Sequence, residues 1–198
     1  MIKQDVYDEV QGLEPLCQEI CHTLWNHPEL SGNERESANF LRKILSEEGF
    51  TIENNEHLEH AFIAEYGKGK PVIAILGEYD ALPGLSQKAD IKKEMVSEDG
   101  VGHGCGHHML GAAATTAAIA IKRFLEKGKQ KGTVRFYGCP EEELLSGKVK
   151  MAYHHMFDGC DAMYRNGTNR RISPWNGSTG YRRTDLRSCR RGNLRTNL

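Results

Sequence analysis

The strongest constraint on the fold is the apolar run from Val72 to Leu76, in the stretch PVIAILGEYDALPG. Five consecutive apolar residues show no alternation, which is typical of a strand that is covered on both faces. Other strand-like runs are FTIEN, HAFIAEYG, GTVRFYGCP and CDAMYR. Helix-like segments alternate with these runs, so the sequence predicts an α/β sandwich with a mostly parallel sheet.

Four helices are predicted, over about residues 4–25, 31–49, 108–128 and 146–159. The third is built from very small residues, which indicates close packing on the sheet. Folds of this kind carry their chemistry in loops at the carboxyl ends of strands. Three such loops are candidates here: the one after Leu76, residues 102–108, and the one after Tyr137.

The stretch GHGCGHHML, residues 102–110, has four potential metal ligands between glycines. Cys105 and His107 are two positions apart, so in extended backbone their side chains point the same way and reach one centre. A thiolate and an imidazole suit zinc and related ions. His103 has the same parity and could join them or support them. The alternative is a glycine-rich turn with incidental histidines.

Carboxylates follow two of the buried strands. In CPEEELLSGK, one glutamate could bind the metal while its neighbour takes a proton from water. The alternative is a solvated acidic loop. Asp80, in GEYDALPG, could orient a histidine ligand, or it could shape the turn before Pro83.

Composition excludes several classes of protein. The net charge of −1 gives no case for a nucleic-acid partner, and no stretch approaches the 18 apolar residues of a membrane span. The N-terminal stretch has mixed charge and is not expected to be a secretory signal. Six cysteines without such a signal favour reduced thiols in the cytoplasm.

The end of the chain differs from the rest. All 13 lysines lie at or before Lys150, whereas nine of the 13 arginines lie at or after Arg165. Residues 180–198 form an arginine-rich tail without apolar periodicity. We expect this tail to be disordered or the product of a frameshift; a basic nucleic-acid-binding tail is the alternative.

Four ordered motifs, WNHPEL, GEYDALPGLSQ, GHGCGHHMLGAAA and FYGCPEEELLSGKVKM, resemble the M20 metallopeptidase family, in particular its amidohydrolase branch. The resemblance runs from about residue 7 to residue 179. It implies a three-layer, zinc-peptidase-like catalytic α/β domain. Residues 1–179 would be the N-terminal part of that domain, which is expected to be incomplete and to lack its lid or dimerisation domain.

The resemblance also implies an activity and a set of roles. Members hydrolyse amide bonds of N-acyl amino acids, folate breakdown products or small dipeptides, with one or two divalent ions, often manganese or zinc. The expected partners are a small-molecule amide substrate and further copies or subunits in a homo- or hetero-oligomer. By position, Cys105 would be a bridging thiolate, His107 and Glu143 ligands, and Glu142 the general base. Asp80 matches the family's aspartate near the first metal motif.

The sequence departs from the family pattern in three places. His108 replaces the usual Asn or Asp, Leu144-Leu145 replaces Gly-Gly, and Arg165 or Asn166 stands where a ligand histidine is usual. An arginine has no acceptor and cannot be a ligand. Three interpretations stay open: a catalytic-domain fragment with weak or no activity, an enzyme completed by a partner subunit, and a non-catalytic binding or scaffold module.

Overall fold

The computed structural model describes residues 2–128, 130–165 and 172–174. The predictions for residues 180–198, and for Asn166, lie outside these residues. The elements in chain order are α1 (Ile2–Gly12), α2 (Glu14–Asn26), α3 (Arg35–Glu47), β1 (Thr51–Asn54), β2 (Phe62–Lys68), β3 (Val72–Glu78), α4 (His107–Glu126), β4 (Gly132–Cys139), α5 (Gly147–Tyr153), β5 (Ala162–Arg165) and β6 (Ile172–Pro174).

The six described strands form one mixed sheet in the order β1-β2-β4-β3-β5-β6. The α/β class is therefore confirmed. Its centre is parallel, because β3 pairs in parallel with β4 on one side and with β5 on the other. The outer pairs, β1 with β2, β2 with β4 and β5 with β6, are antiparallel. The carboxyl ends of the three parallel strands meet at one edge, where the predicted chemistry lies.

The sheet is buried on both faces, which explains the uninterrupted apolar run of β3. Ile75 belongs to a core cluster shared with helices α2, α3 and α4. Its neighbours Ala74 and Leu76 belong to a second cluster on the opposite face, with Met151 of α5. Successive strand residues point to opposite faces, so both faces need apolar side chains. The layers are helix, sheet and helix, as predicted.

Two predicted helices differ from the observed ones. The segment 4–25 is divided at Leu13 into α1 and α2, because Pro15 lies at the start of α2 and cannot donate a backbone hydrogen bond inside a continuous helix. The last predicted helix is shorter than expected. It ends at Tyr153, and His154 caps it. No helix within the described ranges is both long and apolar enough to span a membrane.

Helix α4 approaches β3 closely at Gly111. A Cβ atom at this position would lie 2.7 Å from the backbone oxygen of Glu78 and 3.3 Å from Leu24 Cδ1. A backbone atom cannot move aside as a flexible side chain can, so a larger residue would push the helix off the strand. The close approach places the start of α4 directly against the carboxyl end of β3.

We expect Gly111→Ala to lower the free energy of unfolding by about 1–3 kcal/mol, the usual range for overpacking a tight core. Chemical denaturation measures the change. The matched control is Gly12→Ala, another helical glycine, which has nothing within 4 Å of its added Cβ and should be neutral or slightly stabilising. Equal stability of the Gly111→Ala variant and the unsubstituted chain would contradict the close packing.

Candidate metal centre

The site forms where β3 and β4 end and α4 begins. β3 ends at Glu78, whose register partner in β4 is Cys139. The chain leaves β4 through Pro140 into the glutamate run, and α4 begins at His107. These segments are far apart along the chain, but the parallel pairing of β3 with β4 brings them to one edge of the sheet. Side chains from all three segments converge there.

His107 is held by Asp80. Its Nδ1 lies 2.7 Å from Asp80 Oδ1, and both side chains are almost completely buried. Burial by itself would raise the pKa of Asp80, but hydrogen bonds from His107, the Glu143 amide and Ser31 lower it, so this carboxylate is ionised and accepts the Nδ1 proton. The bond fixes the ring and leaves Nε2 available, as in metal-binding histidines oriented by a carboxylate.

Three carboxylates face the Nε2 atom of His107. Glu78 Oε2 and Glu142 Oε2 each lie 3.6 Å from it, and Glu143 Oε1 lies 3.8 Å from it. Two sets of potential ligands within 4.8 Å of one another share this histidine: Cys105 with Glu143, and Glu78 with Glu142. One nitrogen can bind only one ion, so Nε2 of His107 could serve only one of the two sets at a time.

The donor set fits a divalent ion. Glu143 Oε1 is buried and makes no hydrogen bond within the described residues, and a buried polar atom without a partner is unfavourable. An ion between this oxygen, Nε2 of His107 and the Cys105 sulfur would satisfy it. Thiolate, imidazole and carboxylate together suit zinc and related ions. The structure thus brings the three predicted ligands together, and their role as ligands stays a prediction.

Partial burial, and after it the nearby carboxylates of Glu143, Glu142 and Glu78, raise the pKa of Cys105 to about 11. The pKa of His107 is also raised: burial lowers it, but the bond to Asp80 and the facing carboxylates outweigh that effect. In the absence of an ion, a proton therefore occupies the Cys105 sulfur at neutral pH, and the raised pKa of His107 favours a second proton on its ring. A metal ion must displace them.

We expect metal affinity to increase with pH, by about tenfold per pH unit for each proton released. The Cys105 thiol stays protonated throughout the range from pH 6 to pH 8, so the release of its proton contributes this slope over the whole range. Calorimetric titration with Zn²⁺ in two buffers of different ionisation enthalpy measures the protons released. Cys105→Ala should reduce the count by about one. An affinity independent of pH would contradict a thiolate ligand.

Two buried carboxylates hold the backbone of the glutamate turn. Glu34 is completely buried and accepts a 2.7 Å hydrogen bond from the Glu141 amide. Asp80 Oδ2 accepts a 2.9 Å bond from the Glu143 amide. Glu141 has a φ of 56° and Leu145 a φ of 54°, values that non-glycine residues adopt rarely. The turn that presents Glu142 is therefore fixed from both sides.

The two leucines that replace the usual glycines follow this turn. Leu144 is 62% exposed and Leu145 is 79% exposed. Both side chains therefore largely face solvent. The positive φ of Leu145 shows why a glycine is favoured at its position, since glycine adopts the left-handed region without strain.

Glu78 and Lys148 belong to the candidate site but were not predicted from the sequence. Glu78 is 3% exposed, and the Lys148 ammonium, itself mostly buried, forms an ion pair with its Oε1 atom. One available signal was that Glu78 and Asp80 are two positions apart at the end of a strand, so both can face the same side. Lys148 gave no comparable signal, because it reaches the site through the position of α5 on the sheet.

His103 and His108 are packing residues in the described structure. His103 Nε2 lies 3.0 Å from the Leu24 carbonyl oxygen. The His108 ring packs between His103 and Trp25, with ring centroids 4.9 Å apart in both pairs. Burial lowers the pKa of His108 to about 4, so this side chain is neutral. Neither ring joins the donors around His107.

Sequence comparisons connect this geometry with known proteins. The model of Peptidase family M20/M25/M40 matches residues 74–173. The chain is 47% identical over 165 residues to one subunit of the p-aminobenzoyl-glutamate hydrolase of Escherichia coli (strain K12), covering 80% of this chain and 34% of that protein. It is 34% identical over 144 residues to an N-acetylcysteine deacetylase of Bacillus subtilis (strain 168), covering 71% of this chain and 37% of that protein.

Solved structures agree with the fold. A dinuclear metal binding peptidase from the M20 family of Bacillus subtilis superposes with a TM-score of 0.63 at 29% identity, covering 79% of this chain and 44% of that one. A putative aminohydrolase from methicillin-resistant Staphylococcus aureus gives 0.69 at 24% identity, covering 81% and 41%, and supports the fold alone. The chain spans 34% and 37% of the lengths of the two curated relatives named above.

Proposed function

Because this chain belongs to Peptidase family M20/M25/M40, we propose that it is part of a metal-dependent hydrolase of amide bonds in N-acyl amino acids or small dipeptides. p-Aminobenzoyl-glutamate is the substrate we favour, since the relative that is 47% identical is named for it. Residues 1–179 would form the N-terminal part of the catalytic domain. The observation that carries the proposal is the His107 ring, fixed by Asp80 and facing three carboxylates.

His107, Cys105 and Glu143 would hold a divalent ion, manganese or zinc. When bound, such an ion polarises an amide carbonyl and makes a water molecule more acidic. Asp80 contributes by keeping the Nδ1 proton on His107, so that Nε2 can donate its electron pair. Glu78 lies against the same nitrogen and adds negative charge that favours a cation there.

Glu142 is the proposed general base. Its carboxylate lies 3.6 Å from His107 Nε2 and its side chain is 19% exposed, so water and substrate can reach it. It would take the proton of the attacking water and deliver it to the nitrogen of the leaving amine. Both carboxylates reach His107 Nε2, but Glu143 also lies near Cys105 whereas Glu142 lies near Glu78, which would let Glu143 bind an ion while Glu142 moves a proton.

Two alternatives differ from an active enzyme formed by this chain alone. A partner subunit or further chain could supply the histidine that the family pattern places near Arg165, and the relative with 47% identity, which is named as one subunit of a hydrolase, favours an assembly of this kind. A binding or scaffold role without catalysis is the remaining alternative. The expected cytoplasmic location stays a prediction; the five described cysteines are free thiols, which suits a reducing compartment.

The test measures hydrolysis of p-aminobenzoyl-glutamate with Mn²⁺ or Zn²⁺, for the 198-residue chain alone and mixed with a separately produced chain that carries the remaining part of the Escherichia coli relative. Hydrolysis in either condition that is lost on chelation supports the proposal. Metal binding with no hydrolysis in both conditions would favour the scaffold role instead.

A further inference from the structure

Arg165 lies at the rim of the cluster around His107. It ends β5, and its register partner in the parallel strand β3 is Leu76. The Arg165 Nε atom lies 3.8 Å from Glu78 Oε1, and the other oxygen of Glu78 lies 3.6 Å from His107 Nε2. A single carboxylate therefore separates the guanidinium from the proposed ion-binding nitrogen.

Within the described residues, Arg165 is not needed to neutralise Glu78. Glu78 already has a cation in direct contact, because Lys148 forms an ion pair with Oε1. Lys148 is 11% exposed in that pair, whereas the Arg165 side chain is 50% exposed. Of the lysine and the arginine that contact Glu78 within the described residues, the arginine is the one that a ligand can reach.

The guanidinium also has unused donors. The 3.8 Å distance to Glu78 is longer than a hydrogen bond, and it is the only polar contact of this side chain within the described part of the chain. Arginine presents five N–H donors in a planar fork that matches both oxygens of a carboxylate. A ligand carboxylate placed here would meet this fork at the edge of a cluster that is otherwise strongly anionic.

We propose that Arg165 is a specificity-determining residue that binds the carboxylate of an N-acyl amino acid whose amide bond lies at His107. This inference rests on the proposed function and deepens it. The carboxylate would form a bidentate pair with the guanidinium, while the negative charges of Glu78, Glu142 and Glu143 would repel a carboxylate bound without it. The site would therefore prefer acids over neutral amides of the same shape.

Binding of N-benzoylglycine and of N-benzoylglycinamide to the full chain tests the proposal. Calorimetry or ligand-observed NMR gives both dissociation constants, with Mn²⁺ and with chelator. We expect the acid to bind about 10- to 100-fold more tightly, as for a hydrogen-bonded charge pair, and Arg165→Met to remove the preference. Arg165→Lys should keep part of it. Arg123→Met, which removes a half-buried arginine of α4 that pairs with Glu48, should keep all of it.

The outcomes separate this inference from the proposed function. Acid preference that depends on Arg165, without any hydrolysis, would support the carboxylate site while the proposed function fails. Hydrolysis with an acid preference unchanged in Arg165→Met would overturn the carboxylate site alone. No preference in the unsubstituted chain, or no binding of either probe, would also overturn it. Circular dichroism checks the fold of each variant, and Arg165→Lys retains the charge if Arg165→Met does not fold.

Discussion

Replacing Glu142 with Gln is expected to lower the rate of amide hydrolysis by about 10²- to 10⁴-fold, the usual contribution of a general base. Glutamine has nearly the same shape but cannot accept the proton of the attacking water. Metal affinity should change little, because the three proposed ligands are untouched. Initial rates with p-aminobenzoyl-glutamate, in whichever form of the protein is active, measure the effect, and calorimetry measures metal binding.

Glu141→Gln is the matched control for this experiment. Glu141 precedes Glu142 directly, but its carboxylate is bound by Lys150 and by the Ser146 hydroxyl, away from His107. We expect this variant to keep most of the activity. If Glu142→Gln and Glu141→Gln had the same modest effect, the glutamate run would be a solvated acidic loop and Glu142 would not be the base.

Asp80→Asn is expected to lower metal affinity about 10- to 100-fold, as for other residues that orient a metal-binding histidine. An amide cannot replace this carboxylate in either orientation. Oδ1 accepts from His107, and Oδ2 accepts from both Ser31 and the Glu143 amide. An NH₂ group on one side would therefore face a donor, and leaving a buried donor unpaired costs about 1–3 kcal/mol.

Calorimetric titration with Zn²⁺ and chemical denaturation should therefore both show the effect of Asp80→Asn. Asp158→Asn is the control, since the Asp158 side chain is largely exposed and its carboxylate pairs with the exposed His155. Unchanged metal affinity in Asp80→Asn, with a correctly folded chain, would show that Asp80 shapes the turn before Pro83 without orienting a ligand.

Much of the fold follows from local patterns in the sequence. The continuous apolar run of β3 correctly indicated burial on both faces, and the small residues of α4 correctly indicated close packing. The prediction of one continuous N-terminal helix was wrong, because one proline outweighed an apolar pattern that continues across it. The antiparallel outer strands could not be foreseen, since strand direction depends on the path of the connections and not on the residues of each strand.

The candidate site was predictable where its residues lie close together in the sequence. The spacing of Cys105 and His107 indicated a shared centre, and the glutamates after β4 indicated nearby carboxylates. Glu34 and Lys148 were not predictable, because they reach the site from the start of α3 and from α5 through tertiary packing. For His103 the sequence spacing was misleading. It lies two positions from Cys105, as His107 does, but its ring hydrogen-bonds to the Leu24 carbonyl near the end of α2.

The origin of the donors in three separate segments has a consequence for the order of folding events. Cys105 and His107 are neighbours in any conformation, but Glu78 and Glu143 come near them only after β3 and β4 have paired. Bringing segments so far apart in the sequence together is entropically unfavourable in the unfolded chain. We therefore expect the sheet to form before the ion binds. The ion would then stabilise a fold that has already formed and would not initiate folding.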